Sequence, residues 1–222
     1  MKKILIKILP LFFIAVISCE QDDSTEGVSR ITFYNDIEFV GDETMYLPVG
    51  SAFSDPGVTA FEGEEDVTAN VVVSGSVDTS TIGTNSITYS IVNADGFSKE
   101  ITRTVIVHPV ADSGIDYSGI YTGDSRGEIM DSGCVITKVA PSTYLATDFF
   151  GGVYCCGSRD YGLAYRLKTY FYVSSDNTTY TSISTDSPWG AWDILNPSIS
   201  GTTLSHKVNQ GTFGFDVTLI KE

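Results

Sequence analysis

Trp189 and Trp192 stand three residues apart, and Tyr154 and Tyr161 flank a glycine-rich stretch earlier in the chain. An exposed aromatic ring can stack on the apolar face of a sugar, and tyrosine hydroxyls can hydrogen-bond its rim. On a regular strand, same-face residues are two apart, so the i, i+3 pair cannot share one face. One indole is therefore expected on a loop or on the outer face. The competing reading is that these rings fill a small β core. Glycines nearby favour binding, because they let a ligand approach the backbone closely. Trp189, Trp192, Tyr154 and Tyr161 are the candidate ligand-binding set, and an extracellular glycan is the expected ligand.

Other residues offer different chemistry. Gly123-Asp124-Ser125-Arg126-Gly127 fits G-x-S-x-G, which presents a nucleophilic serine between a strand and a helix. Here strands are expected on both sides, and only His108 and His206 could complete a triad. A hairpin turn explains the glycines. Glu62, Glu64, Glu65 and Asp66 could offer oxygens to calcium, but they lack the alternating Asp/Asn pattern of a calcium loop; a solvated turn is the simpler reading. Paired carboxylates for glycoside hydrolysis are defined by spacing in space, and the acids of the C-terminal half fall in no recognisable motif. No catalytic residue, metal ligand or cofactor is assigned.

The cysteines Cys134, Cys155 and Cys156 allow one bridge with one thiol left over. If 155 and 156 lie on a strand they face opposite sides, so Cys134 could reach only one of them. The expected pairing is Cys134 with Cys155 or Cys156, with buried free thiols as the alternative. Adjacent cysteines lack the Cys-x2–4-Cys spacing that chelates one metal.

The elements that must position these residues are all strands. Ile87, Tyr89 and Ile91 alternate with polar neighbours, and Ile101, Arg103, Val105 and Val107 follow at period two. Asn93-Ala94-Asp95-Gly96 lies between them, which makes a hairpin with one buried face. Met45-Tyr46-Leu47, Val58 to Phe61 and Val71-Val72-Val73 are further short runs, separated by Asp55-Pro56-Gly57 and residues 63–66. Nothing shows a helical period. In the second half, strands are expected over 134–139, 144–149, 163–173, 178–184, 204–208 and 212–220. Phe213, Phe215, Val217 and Leu219 form a one-face pattern. The fold class is all-β: an antiparallel sandwich over 30–109, a linker over 110–116, and an antiparallel barrel or sandwich over 117–222. The second region holds both tryptophans and nine of the 12 tyrosines.

The N-terminus sets the address. Lys2, Lys3 and Lys7 accompany a short apolar run over 8–17, and Glu20, Asp22 and Asp23 follow. The run is too short to span a bilayer, which takes about 20 residues, and reads as a secretory signal. Val16-Ile17-Ser18-Cys19 resembles the bacterial lipobox. That resemblance implies removal of residues 1–18 and lipidation of Cys19, an anchor that exceeds the two-chain requirement for stable membrane attachment. Residues 19–29 are then a polar tether. The acids after Cys19 resemble the surface-export signal of Bacteroidetes-type lipoproteins, which implies an outer-membrane protein facing outward. Without the signal's three lysines, 10 bases face 28 acids, a net charge of −18. Such a balance disfavours nucleic acid and anionic lipid, whose phosphates need clustered cations.

Tyr46-Leu47-Pro48-Val49-Gly50, Phe53-Ser54-Asp55-Pro56-Gly57-Val58-Thr59-Ala60 and Asp66-Val67-Thr68 resemble a bacterial immunoglobulin-like domain. Val77-Asp78-Thr79, Gly83-Thr84, Ile87-Thr88-Tyr89 and Arg103 to Val107 continue the match over roughly 38–108. Asp148-Phe149-Phe150-Gly151-Gly152-Val153-Tyr154 and Pro188-Trp189-Gly190 resemble the C-terminal domain paired with it in Bacteroidetes surface lipoproteins. Many relatives lie near glycan-uptake systems of the starch-utilisation type. The resemblance implies a non-enzymatic, glycan-binding surface lipoprotein beside an outer-membrane uptake complex. The alternatives are a structural or adhesion lipoprotein with a protein partner and, third, a surface hydrolase.

Overall fold

The computed structural model describes residues 31–222. The expected signal peptide, Cys19 and the expected tether lie outside the described residues.

The first region is a sandwich of two small sheets. One orders β1 (Asn35–Phe39), β3 (Val58–Glu62) and β4 (Glu65–Asp66). The other orders β2 (Thr44–Pro48), β7 (Ser98–His108), β6 (Gly83–Val92) and β5 (Val72–Ser76). Alternation puts Ile87, Tyr89 and Ile91 of β6 inside, where Ile91 packs with Ile37, Ala60 and Val67. The β6–β7 turn is stitched by Asn93, whose Oδ1 accepts from the Phe97 amide at 2.7 Å and whose Nδ2 donates to the Phe33 carbonyl at 2.6 Å. One pairing departs from the antiparallel expectation: β2 runs parallel to β7. The chain crosses from one sheet to the other between β1 and β2, so β2 joins the second sheet along its edge in the same direction as β7.

Arg103 lies on the inner face of β7 and is completely buried. Its Nε donates to the Asp42 carbonyl at 3.1 Å, and its Nη2 donates to the carbonyls of Val40 at 2.9 Å and Gly57 at 3.1 Å. Its Nη1 pairs with Asp55. One side chain thus ties the 40–42 crossing and the Asp55-Pro56-Gly57 turn to the sheet.

The second region is one eight-stranded antiparallel sheet, in the order β12-β11-β10-β9-β8-β15-β14-β13. Its strands are β8 (Gly119–Ser125), β9 (Glu128–Ala140), β10 (Thr143–Ala146), β11 (Lys168–Val173), β12 (Tyr180–Asp186), β13 (Asp193–Ser200), β14 (Thr203–Gln210) and β15 (Phe213–Lys221). The sheet curls into a nearly closed barrel, with β12 and β13 as the two edges. Scattered hydrogen bonds close the seam. Ile199 N donates to Thr178 O at 2.8 Å, and Thr179 Oγ1 donates to Pro197 O at 2.7 Å. Thr185 Oγ1 accepts from Trp192 N at 2.9 Å and donates to Trp192 O at 2.8 Å. β13 lies outside the expected strands, and Pro197 sits in it. An edge strand tolerates proline, and Asn196 at φ 51° marks a register shift between Leu195 and Ser198.

Two expected strands are shorter than their apolar runs. The strand expected over 144–149 ends at Ala146, and the one expected over 163–173 begins at Lys168 after a 3-10 turn, Leu163–Tyr165. Residues 147–167 leave the wall and enter the barrel as a plug. Phe149, Phe150 and Val153 are fully buried there, among Tyr144, Phe171, Tyr180, Leu204, Val217 and Leu219. Glycine makes room for it. A Cβ on Gly123 would lie 2.0 Å from the Gly151 carbonyl oxygen, and one on Gly133 would lie 2.5 Å from it. The close approach that glycine permits here is made by the chain's own loop.

The segment expected as a linker is pinned. Ser113 N donates to Ser142 Oγ at 2.6 Å, Asn177 Nδ2 donates to Ser113 O at 3.0 Å, and Lys138 pairs with Asp112 at 2.6 Å.

Candidate functional site

The plug folds around Asp148. This buried carboxylate accepts from the amides of Phe150 and Leu167 through Oδ1, both at 2.9 Å, and from Gly152 through Oδ2 at 3.0 Å. It thereby joins the loop's two ends. Burial pushes its pKa up to about 6, against the pull of those amides and of Arg166. On the other side of the plug, His206 Nε2 lies 2.9 Å from the Phe149 carbonyl and its Nδ1 lies 2.6 Å from the Tyr180 hydroxyl. A neutral ring satisfies both by donating from Nε2 and accepting at Nδ1. Burial lowers its pKa to about 4.

These two groups oppose each other in acid. His206 sits below its unfolded value, so it costs stability as pH falls from about 6.5 to 4; Asp148 sits above its own and returns stability over about pH 6 to 4. Wild-type stability should therefore change little from these two groups across that window. His206→Gln leaves only the Asp148 slope. Relative to wild type, the variant should gain roughly 2–3 kcal/mol between pH 6.5 and 4. Urea titrations at several pH values check this; parallel profiles for the two proteins would show that His206 is not buried neutral.

The cysteine pairing differs from the expectation. Cys155 and Cys156 are bonded to each other, and Cys134 is free and buried. The expectation placed 155 and 156 on a strand, where adjacent side chains diverge. They lie instead in a turn of the plug, where adjacent sulfurs can meet. Cys134 faces the barrel core, and burial pushes its thiol up to about 12, so it is inert at neutral pH. Iodoacetamide on the denatured, unreduced chain from residue 20 should add one group, and three after reduction. Three adducts without reductant would refute the bridge.

Beyond the bridge, Glu128 of β9 holds the loop's outer part. It accepts from the Ser158 amide at 2.7 Å, from Ser158 Oγ at 2.8 Å and from Arg159 Nη1 at 2.8 Å. The turn 187–190 faces this loop. Ser187 Oγ accepts from Trp189 N at 3.2 Å, and Gln210 Nε2 donates to the carbonyls of Trp189 at 2.8 Å and Ala191 at 3.0 Å. Gly190, at φ 88°, closes the turn.

Tyr154, Tyr161, Trp189 and Trp192, together with Gln210 and Phe213, line one open groove of about 380 Å³ at the plugged end of the barrel. Trp189 stands edge-on to Tyr154, with ring centroids 5.0 Å apart, and Tyr154 stacks on Tyr161 at 6.1 Å. Trp192 meets Phe150 at 4.9 Å and Phe213 at 5.9 Å. Exposure divides the four: Tyr161 is 53% and Trp189 38% exposed, whereas Tyr154 is 8% and Trp192 7% exposed. Two rings thus face solvent on a floor of two buried ones. The indole N–H of Trp192 has no hydrogen-bond partner among the described residues.

Phe213, Phe150 and Arg126 complete this face, and none was singled out as a site residue. Phe213 belongs to the alternating run of β15, yet it is exposed because the strand emerges from the barrel there. Arg126 lies over the rings of Phe213 and Phe215, 5.2 Å from each centroid.

The other motifs take structural places. Ser125 ends β8 and is buried, and Arg126 (φ 54°) and Gly127 (φ 79°) form a two-residue hairpin turn into β9. No helix follows, so no nucleophile is presented. Glu62 accepts from the Ala94 amide at 3.2 Å and Asp66 from the Thr68 amide at 2.9 Å, on either side of the turn at Gly63. Among the described residues, no three His, Cys, Asp or Glu side chains converge as a metal site.

A family model described as a bacterial surface protein Ig-like domain matches residues 37–107, and a second, for a C-terminal domain, matches 111–221. The crystal structure of the lipoprotein BT2262 from Bacteroides thetaiotaomicron is similar. It is 31% identical in sequence, with 85% of this chain and 100% of that chain covered and a TM-score of 0.45. No curated protein matches.

Proposed function

We propose that this chain, which belongs to the family of bacterial surface lipoproteins with an Ig-like domain followed by this C-terminal β domain, binds extracellular glycan without catalysing its cleavage. The observation that supports this is the pairing of exposed Trp189 and Tyr161 above buried Tyr154 and Trp192 in one open groove. A ring held from below is a rigid platform, and it loses little entropy when a sugar stacks on it. The hydroxyl of Tyr161 and the exposed turn 187–190 offer polar contacts beside the rings. Lipid on Cys19 would tether the protein to the outer membrane, facing outward, where it would hand glycan to an uptake complex.

A glycan array probed with the soluble chain from residue 20 onward tests the reading. Retention of at least one polysaccharide, lost in Trp189→Ala, is the expected result. A blank array would end the glycan reading and favour a protein partner on the same apolar rim. The anchor is tested by Cys19→Ala, which should abolish incorporation of labelled palmitate. Undiminished labelling would place the lipid elsewhere.

A further inference from the structure

We propose that a second groove beside the aromatic face receives the acidic group of an anionic glycan, a uronate carboxylate or a sugar sulfate, through Arg166 and Lys168. This inference rests on the glycan reading and narrows its ligand class. The groove, of about 420 Å³, is open and lined by Leu145, Leu163, Arg166, Lys168, Asp186 and Pro188 among others.

Two elements join it to the aromatic groove. Pro188 lines one and Trp189, the next residue, lines the other. The 3-10 turn Leu163–Tyr165 gives Leu163 to the cationic groove, while Tyr165 packs on Trp189 at 5.1 Å. A polysaccharide stacked on Trp189 therefore has its next residues beside Arg166 and Lys168.

The charge distribution singles this place out. The chain carries 28 acids against 13 bases, yet four of the seven bases of the second region, Arg126, Arg159, Arg166 and Lys168, surround the aromatic end. Arg159 is engaged by Glu128. Neither Arg166 nor Lys168 has a carboxylate within salt-bridge distance among the described residues, although the Arg166 charge reaches buried Asp148. Asp186 lines the same groove and opposes Lys168 across the β11–β12 ladder, but their charged atoms do not come within salt-bridge distance. Arg166 is held in place: its Nε lies 3.5 Å from Cys155 Sγ, and its Nη2 lies 3.8 Å from Cys156 Sγ. Sulfur is a weak acceptor, so the guanidinium keeps donors free for a stronger one. A carboxylate or sulfate is matched by that planar fork, with Lys168 as a second charge.

The test is affinity electrophoresis and calorimetry of the soluble chain from residue 20 with four probes: polygalacturonate and chondroitin sulfate as anionic polymers, xyloglucan and amylopectin as neutral ones. At least one anionic polymer should bind about tenfold more tightly than either neutral one at low salt, and the margin should shrink as salt rises. Lys168→Gln and Arg166→Gln should each lose most of that margin without changing any neutral binding. Arg166→Lys, which keeps the charge but not the fork, should lose part of it. Melting curves separate these effects from unfolding of the plug, and Lys168→Gln touches neither the plug nor the bridge. Tighter binding to neutral polymers, or an anionic preference unchanged in Lys168→Gln and in a folded Arg166→Gln, overturns this inference alone. No binding to any of the four overturns this inference, and the glycan reading falls with it only if the array is blank as well.

Discussion

Arg103→Met should destabilise the Ig-like sandwich by about 3 kcal/mol or more, because partly buried carbonyls on two segments lose a charged donor at about 1–3 kcal/mol each. The side chain is fully buried between the rings of Phe39 and Tyr89, 5.1 Å and 5.6 Å from its charged carbon. Methionine fills part of the volume but donates nothing. The carbonyls of Val40 and Asp42 then lose the guanidinium donor, Gly57 O keeps only the Val40 amide, and Asp55 keeps only Tyr89 and the Gly57 amide. Burial raises the Asp55 carboxyl, but those two hydrogen bonds and the Arg103 charge outweigh it and hold it below its usual value. Its contribution is present above about pH 4 and is lost as pH falls through that lowered value. Against a typical domain stability of about 5–15 kcal/mol, the loss is large. Arg103→Lys should rescue little, because one ammonium cannot reach carbonyls on two segments and a carboxylate together. Urea unfolding decides the matter; a variant within about 1 kcal/mol of wild type would show the cluster to be dispensable.

That residue shows where sequence reading stops. Period two correctly put Arg103 on the face shared by Val105 and Val107, both of which are buried. The pattern cannot say that a guanidinium would be welcome there, since its partners come from residues 40–57, far along the chain. The barrel teaches the same lesson. Alternation revealed β15 and most of its neighbours. It failed at 147–149, where Phe149 is buried because the chain turns inward as a plug, and at 163–167, where Leu167 is buried while Leu163 stands exposed on a 3-10 turn. Runs such as Asp148-Phe149-Phe150-Gly151-Gly152 look like strand ends, and the fact that Gly151 packs on Gly123 and Gly133 is a contact between distant segments. The Cys155–Cys156 bridge was hidden for the same reason, because its residues follow plug geometry. The four aromatic residues were legible as a set from composition and local spacing. Which of them face solvent depends on the turn 187–190 and the barrel seam.

The two tryptophans should respond in opposite ways to truncation. Trp192 is 7% exposed and packs on Phe150, Phe213 and Phe215, with its backbone clasped by Thr185 across the seam. Trp192→Ala should therefore cost about 3–5 kcal/mol of stability, the range for emptying a large aromatic site. Trp192→Phe should cost much less, because the indole N–H has no partner to lose and most of the ring volume is retained. Trp189 is 38% exposed, and its neighbours Tyr154 and Tyr165 remain in place when it is removed. Trp189→Ala should cost less stability than Trp192→Ala, about 1–3 kcal/mol, because more than a third of the residue is already in water. Its effect should fall on binding, by about 1–3 kcal/mol if a sugar stacks as a nucleic-acid base does. Calorimetric melts of the three variants, read beside titrations with any polysaccharide the array retains, separate the roles. A Trp189→Ala protein that melts as far below wild type as Trp192→Ala would make both rings core. A stable Trp189→Ala protein that binds with unchanged affinity would move the site off this face altogether.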